Sequence, residues 1–295
     1  MTSGLRSRRL DWSWLAVGPA ALLVLLFVAL PAAFGLFNTF TDSTPFTRAW
    51  HFVGLDNYGA VLSDTTSRVA FLNALLLALI TVPTEAALGL ALAGLLRRPF
   101  AGRGLLRVLL LAPWLVSPIA AGVMWHFLYN GQVGLVGWIG GLFGASGQAT
   151  SPLGDLRWAL PSVALVEVWR MAPLAAFLLL PGVLAVPQDD LDQATVMGSP
   201  LFTTWRVAII PRIRVLLLTV LLLLLAQSLT TFDSILVLTG GGPGSNTLTP
   251  ALYAYNLAVQ TNNWPAGTAA SWLLVALVLI VGSIYIRFLR AAEER

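Results

Sequence analysis

The sequence predicts an all-α integral membrane fold of six transmembrane helices, and three observations carry that prediction. The chain has 295 residues, 57% of them hydrophobic and only 10% charged, where a soluble domain carries about 25% charged residues. Six stretches reach the roughly 20 apolar residues that a helical span needs. Runs such as 216–225 show none of the alternation of a membrane barrel strand. With too little charge to cover a water-facing surface, the solvent of this chain is lipid.

The expected spans are residues 14–36, 71–96, 105–127, 160–184, 216–238 and 269–289. They make a transmembrane domain over 14–290, between an N-terminal segment 1–13 and a tail 291–295. Arg6, Arg8 and Arg9 precede the first apolar run as they would in a signal peptide. That run is longer than the roughly 7–15 residues of a cleaved apolar region, so it is read as a retained helix. Residues 131–144 are apolar but hold six glycines in 14 positions. Glycine weakens helices and the length is too short to cross, so an interfacial segment on the outer face is expected.

Arginine sets the orientation. All 17 basic residues are arginine, and 13 of them fall at the N-terminus, the second-to-third connection, the fourth-to-fifth connection and the C-terminus. Arg48, Arg68 and Arg157 lie on the other side, and Arg170 falls inside a span. Positive residues favour the cytoplasm, so both termini of this multi-pass protein are expected there. The basic balance reports this bias and implies no nucleic acid. Trp12, Trp14, Trp125, Trp158 and Trp264 fall near expected span ends, as interface anchors do.

Residue types exclude several chemistries. No cysteine is present, which removes disulfides and thiolate metal sites. His51 and His126 are far apart and suggest no metal. A P-loop requires a lysine on the terminal phosphates, and the chain has none. If ATP drives this protein, another subunit must hydrolyse it. The ionisable residues expected within spans are Glu85, Glu167, Arg170 and Asp233, and none forms a hydrolytic pair. No catalytic residue, metal or cofactor is therefore expected in this chain.

The fourth-to-fifth connection, residues 187–211, is the most informative segment. Pro187 followed by Asp189, Asp190 and Asp192 reads as a helix start. Gly198 and Pro200 end that helix and allow a second. Leu201, Trp205 and Ile209 recur every four residues, giving the second helix an apolar face. Such a protruding pair suits docking to another protein, and equally a helix lying on the headgroups.

Inside the membrane, Arg170 falls ten residues into the fourth span, with Glu167 one turn away. The two share a helix face and are able to pair. Trp169 offers a stacking surface beside them. In the fifth span, Gln227, Ser228 and Thr231 place hydrogen-bonding groups near the same depth. These residues are candidates for a solute pathway, and equally for pairing between helices.

Four segments in order carry a resemblance. Asp192-Gln193-Ala194, then Gly198, then Ile209-Ile210-Pro211 resemble the EAA loop of ATP-binding-cassette importer permeases, of pattern E-A-A-x-x-x-G-x(9)-I-x-L-P. Asp192 stands for the usual Glu, Gln193 for the first Ala, and Met197 for the frequent Asp. Phe52-Val-Gly-Leu-Asp-Asn-Tyr58 resembles the F-x-G-L-x-N-Y stretch of carbohydrate-type permeases. Val168-Trp-Arg-Met-Ala-Pro173 resembles their W-[KR]-x-x-P stretch, and Leu238-Thr-Gly240-Gly241-Gly242-Pro243 their outer L-T-x-G-G-P loop. The whole chain is similar to the maltose and glycerol-3-phosphate class, and to the first of its two permease subunits.

That resemblance implies a type I importer permease fold with a helix-turn-helix coupling loop. It implies a second homologous permease, two ATPases holding ATP and Mg2+, and an extracytoplasmic binding protein delivering a sugar or polyol. It implies that Asp192, Gln193, Ala194, Gly198, Trp205, Ile209 and Pro211 serve the coupling, with Trp205 in the ATPase groove. It further implies sugar contacts from the fourth and fifth spans, with Ser228 and Thr231 at polar positions of that family. A secondary transporter would show internal inverted repeats, and a membrane enzyme would show reactive groups; neither is seen in the sequence.

The arginine split makes a direct prediction. Single cysteines placed by Ser43→Cys and Ser245→Cys should react with an impermeant thiol reagent on intact cells, and Ser199→Cys should not. External labelling at position 199 would overturn the orientation.

Overall fold

The computed structural model describes residues 13–44, 50–142, 151–196 and 200–293. Fourteen α-helices run through them: α1 Ser13–Val24, α2 Leu30–Asn38, α3 Asp56–Ser63, α4 Thr65–Arg97, α5 Arg103–Leu115, α6 Pro118–Leu128, α7 Leu135–Leu142, α8 Ala159–Ala185, α9 Gln188–Val196, α10 Leu201–Thr204, α11 Ile210–Leu229, α12 Asp233–Leu238, α13 Pro250–Tyr255 and α14 Trp264–Glu293. Short π-helical turns join α1 to α2, α10 to α11, and follow α13. No strand occurs among the described residues, where Thr41 and Phe52 form one isolated antiparallel bridge.

Five continuous helices are long and apolar enough to cross a membrane: Val17–Asn38, Thr65–Arg97, Ala159–Ala185, Phe202–Leu229 and Trp264–Arg287. The pair α5 and α6, bent by 93°, makes up to six if it counts as one span. The expected third span, 105–127, is thus broken rather than straight. Val116 and Ser117 are extended, and Pro118 opens α6. A residue before proline is pushed out of the helical region, and the Ser117 hydroxyl caps the new helix by accepting from the Ala120 amide at 3.2 Å.

The expected fifth span, 216–238, also divides differently. Its helix begins at Phe202, within the fourth-to-fifth connection, and ends at Leu229. Thr230 and Thr231 donate their hydroxyls back to the Ala226 and Gln227 carbonyls at 2.9 and 3.1 Å. Threonine bonds of this kind compete with helix continuation. The chain then restarts as α12, which lies against α6 at Gly122: a Cβ there would sit 2.9 Å from the Ser234 carbonyl. Residues 131–144 contain the eight-residue helix α7, too short to cross.

The core is built around α8, the most buried span, at 72% of its apolar window, while the window of the first span is entirely exposed. α8 lies along α4 through small residues, Ala74, Ala78, Ala86 and Ala93 on one helix and Ala172, Ala175 and Ala176 on the other. Helices in lipid gain little from hydrophobicity and associate by such close contact. A Cβ on Gly89 would fall 2.7 Å from the Ala175 Cβ and 3.1 Å from its backbone.

Gly89→Val should therefore force α4 and α8 apart, at a cost of about 1–3 kcal/mol or more. The expected readout is loss of the monodisperse peak in fluorescence-detected size exclusion. Gly104→Val, where a side chain meets open space, should leave that peak unchanged.

Candidate functional site

The two ends of α4 are tied to different loops. Near its start, the Asn73 amide donates to the Ser245 and Leu248 carbonyls, both at 2.9 Å, pinning the glycine loop. Near its end, Gly94 receives the Trp205 indole: a Cβ there would lie 2.3 Å from the ring. Residues 73 and 94 are about 30 Å apart along a helix, the thickness of the hydrocarbon core. The glycine loop and the fourth-to-fifth connection thus sit on opposite faces.

The connection forms two arms. α9 begins with Asp189 and Asp190 in its first turn, where the helix dipole favours acids. Asp190 pairs with Arg212 at 2.5 Å, joining α9 to the base of α11. Asp192 is exposed and accepts from the Gln188 amide at 3.0 Å. Asp189, Asp192, Gln193 and Val196 rim a shallow surface cleft, with Val196 88% exposed. Ala194 lies on the same helix. Gly198 lies outside the described residues. Arg97, at the end of α4, donates to the Val183 and Val186 carbonyls at 3.0 and 2.9 Å. It thereby satisfies two orphan carbonyls at the end of α8 and fixes the point where α9 departs.

The second arm is continuous with the fifth span through the turn Trp205–Ile209, and Pro211 stands in the first turn of α11. Trp205 and Ile209 do share an apolar face, but it turns inward: Ile209 is buried, and Trp205 fills the slot at Gly94. Trp205 is half-buried there and lines an open pocket with Arg97, Gln188 and Leu191. Exposed apolar side chains in this segment include Phe202 and Val207, at 78% and 69%. The four-residue spacing located the apolar face but not its direction, because that depends on the missing side chain at Gly94.

At mid-membrane, Glu167 and Arg170 pair as their spacing suggests, at 2.9 Å and almost fully buried. The second Glu167 oxygen accepts from the Ser234 hydroxyl at 2.5 Å, tying α8 to α12. Glu85 of α4, 2% exposed, lies within electrostatic reach of both Glu167 and Arg170. Its place beside them was not legible from spacing, since 82 positions separate Glu85 from Glu167. Trp169 rests on Trp125, ring centroids 5.6 Å apart and nearly perpendicular.

The three fifth-span candidates separate. Ser228 is buried, and its hydroxyl shares a 2.9 Å hydrogen bond with Thr81 of α4. Thr231 is half-buried with its hydroxyl on the Gln227 carbonyl. Gln227 alone is exposed, together with Thr230 and Asp233, which sequence reading did not select for the pathway.

In the glycine loop, Gly240 and Gly241 take φ of 61° and 90°, conformations that favour glycine. Thr239 and Thr247 share a hydrogen bond at 2.7 Å, Thr247 donates to the Gly242 carbonyl, and Asn246 donates to that of Pro243. Asn57 and Tyr58 explain the other outer motif. The Asn57 amide donates to the Thr39 and Thr41 carbonyls, and the Tyr58 hydroxyl to Thr39. These bonds lash the loop to the end of the first span.

Residues 85–295 match the family of binding-protein-dependent transport system inner membrane components. The chain belongs to that family. This permease is 32% identical to the trehalose/maltose transport system permease protein MalF of Thermococcus litoralis, over 97% of this chain and 96% of that one. It is 30% identical to the trehalose transport system permease protein SugA of Mycobacterium tuberculosis, covering 98% and 92%. It is 27% identical to the sn-glycerol-3-phosphate transport system permease protein UgpA of Agrobacterium fabrum, covering 93% of each. A crystal structure of a bacterial ABC transporter that imports alginate shares the fold, with TM-score 0.80 at 17% identity and coverage of 95% and 96%. The permease is the membrane component of an ABC importer, and the family's part is passage rather than catalysis.

The buried pair generates a prediction. Removing one member strands a charge and costs roughly 3–5 kcal/mol, whereas an apolar pair of similar volume is close to neutral. Glu167→Leu should lower the thermal-shift midpoint in detergent, and Glu167→Leu with Arg170→Met should recover most of the loss. A double variant no better than the single one would show that the two do not act as a unit.

Proposed function

We propose that this permease forms half of the pathway of an importer for a sugar or related polyol, coupled to cytoplasmic ATPases through residues 187–211. The observation that carries the reading is the second arm of that connection. Because α10 runs through Trp205–Ile209 into α11, force applied at α10 passes directly into the fifth span, and force at α9 reaches the same helix through the Asp190–Arg212 pair. Lacking lysine, the chain leaves ATP and Mg2+ to two partner ATPase subunits. The exposed residues Asp192, Gln193, Val196 and Phe202 are the surface those subunits meet, with Asp192 presenting charge and Phe202 an apolar anchor.

The carbohydrate class follows from relatives named for trehalose, maltose and glycerol-3-phosphate. The 13-to-3 division of arginines supports a cytoplasmic connection and cytoplasmic termini, with the glycine loop outside. A second, homologous permease covers the exposed first span and completes the pathway. An extracytoplasmic solute-binding protein delivers the solute to the outer face. Along the pathway, exposed polar groups within a span must avoid lipid, which assigns Gln227 and Thr230, one turn apart on α11, to the solute-facing side. Glu167, Arg170 and Ser228 set the helix positions behind it, with Trp169 and Thr231 between the two roles.

In membrane vesicles, Asp192→Lys and Phe202→Glu should leave the permease inserted but cut binding-protein-stimulated ATPase activity and solute uptake at least about tenfold, the loss expected of a central interface anchor. Uptake unchanged in both variants would overturn the coupling assignment.

A further inference from the structure

On the face opposite the coupling connection lies a cavity of about 410 Å³ between the start of α4, the glycine loop and the end of α13. Asp64, Gly240, Gly241, Ser245, Tyr253 and Asn256 frame it. None of its lining residues is basic. Two of the hydroxyls in its wall are already engaged. The Tyr253 hydroxyl donates to Asp64 Oδ2 at 2.6 Å, and the Thr261 hydroxyl to the Leu257 carbonyl at 2.7 Å. Asp64 Oδ1 accepts from the Thr66 amide at 2.9 Å, so each carboxylate oxygen keeps acceptor capacity. The Tyr253 hydrogen bond, followed by the Thr66 amide, holds the Asp64 carboxyl below its usual range despite partial burial. Asn256 Oδ1 is sealed from solvent and has no hydrogen-bond partner. Asn256 also opens the π-helical turn Asn256–Gln260, a distortion that is common at functional sites.

The chemistry that fits is a multiple donor with no acceptor of its own. A bare metal ion is too small: oxygen ligands must close to about 2.3–2.6 Å, and the described residues hold no group of three metal-binding side chains. The wall sets the Asp64 carboxylate and the orphan Asn256 oxygen beside one another with no basic group to balance them, which favours a cationic donor over a neutral polyol. An arginine or lysine side chain carries five or three donors and no acceptor. A turn of the Asn256 amide, which breaks no hydrogen bond among the described residues, presents its orphan oxygen to such a group.

We infer that this cavity is a socket for a basic side chain of the extracytoplasmic protein that delivers the solute, held by Asp64 and Asn256 beside the glycine loop. The inference rests on the orientation and partner given under the proposed function. Docking through the socket sets the affinity of the encounter, while the coupling connection sets its consequence.

The absence of native cysteine allows a direct test in the assembled transporter. With Asn256→Cys, the cationic reagent methanethiosulfonate ethyltrimethylammonium should gain on the anionic ethylsulfonate analogue by about tenfold relative to their ratio on a free thiol, as a focused negative potential requires. Adding Asp64→Asn, which keeps the helix cap, should remove that gain. Saturating liganded binding protein should protect Asn256→Cys from the cationic reagent. A reagent ratio equal to that of a free thiol overturns the socket. So does a failure to protect when the binding protein still stimulates ATPase activity. A wild-type transporter whose ATPase the binding protein never stimulates overturns the proposed function instead.

Discussion

The contact between α4 and α8 is the constraint on which the other parts of the permease depend. In lipid, two helices gain nothing by hiding leucines from a solvent that is itself apolar. They gain by bringing backbones together, and here the approach is close enough that Gly89 cannot carry a side chain beside Ala175. Once the two helices are fixed, Glu167 and Arg170 on α8 face Glu85 on α4. Charge at mid-membrane is expensive unless paired and enclosed, so this polar centre demands the tight pair as much as it reinforces it.

The same pair joins the two faces. α4 holds the glycine loop through Asn73 at one end and the Trp205 indole through Gly94 at the other. Arg97 closes the circuit by binding the last carbonyls of α8 where the coupling arm leaves. The start of α9 is thus anchored to α4 by Arg97 at the end of α8, and to α11 by the Asp190–Arg212 pair. The bent third span and the divided fifth span meet at Gly122 and Ser234, where Ser234 also binds Glu167. The two breaks in helix regularity therefore converge on the buried polar centre.

Much of this was legible in the residues themselves. Six apolar stretches, the arginine distribution and the lack of lysine follow from counting, because the cost of burying charge in lipid depends on residue type and position along the chain. The Glu167 and Arg170 pair was legible for the same local reason: three residues make one helix face. The π-helical continuity of the coupling arm was not. Pro200 read as an interruption, yet it stands where a helix begins and costs it little, and Pro211 lies inside the continuous helix directly after its π-helical turn.

What the sequence determined by itself was therefore local or additive: the solvent, the number of crossings, the absence of a phosphate loop, and the acidic start of α9. What only the tertiary structure decided was which polar groups are spent and which are free. Ser228 and Gln227 are neighbours of similar chemistry, yet one is bound to Thr81 and the other is exposed. Trp205 and Phe202 are both aromatic, yet one is lodged at Gly94 and the other stands clear. Asp64 and Tyr253 meet across 189 positions. The physical reason is common to all three. A side chain's partner is set by the distance between helices, and that distance is fixed by glycines and alanines on other segments, which no spacing along one helix records.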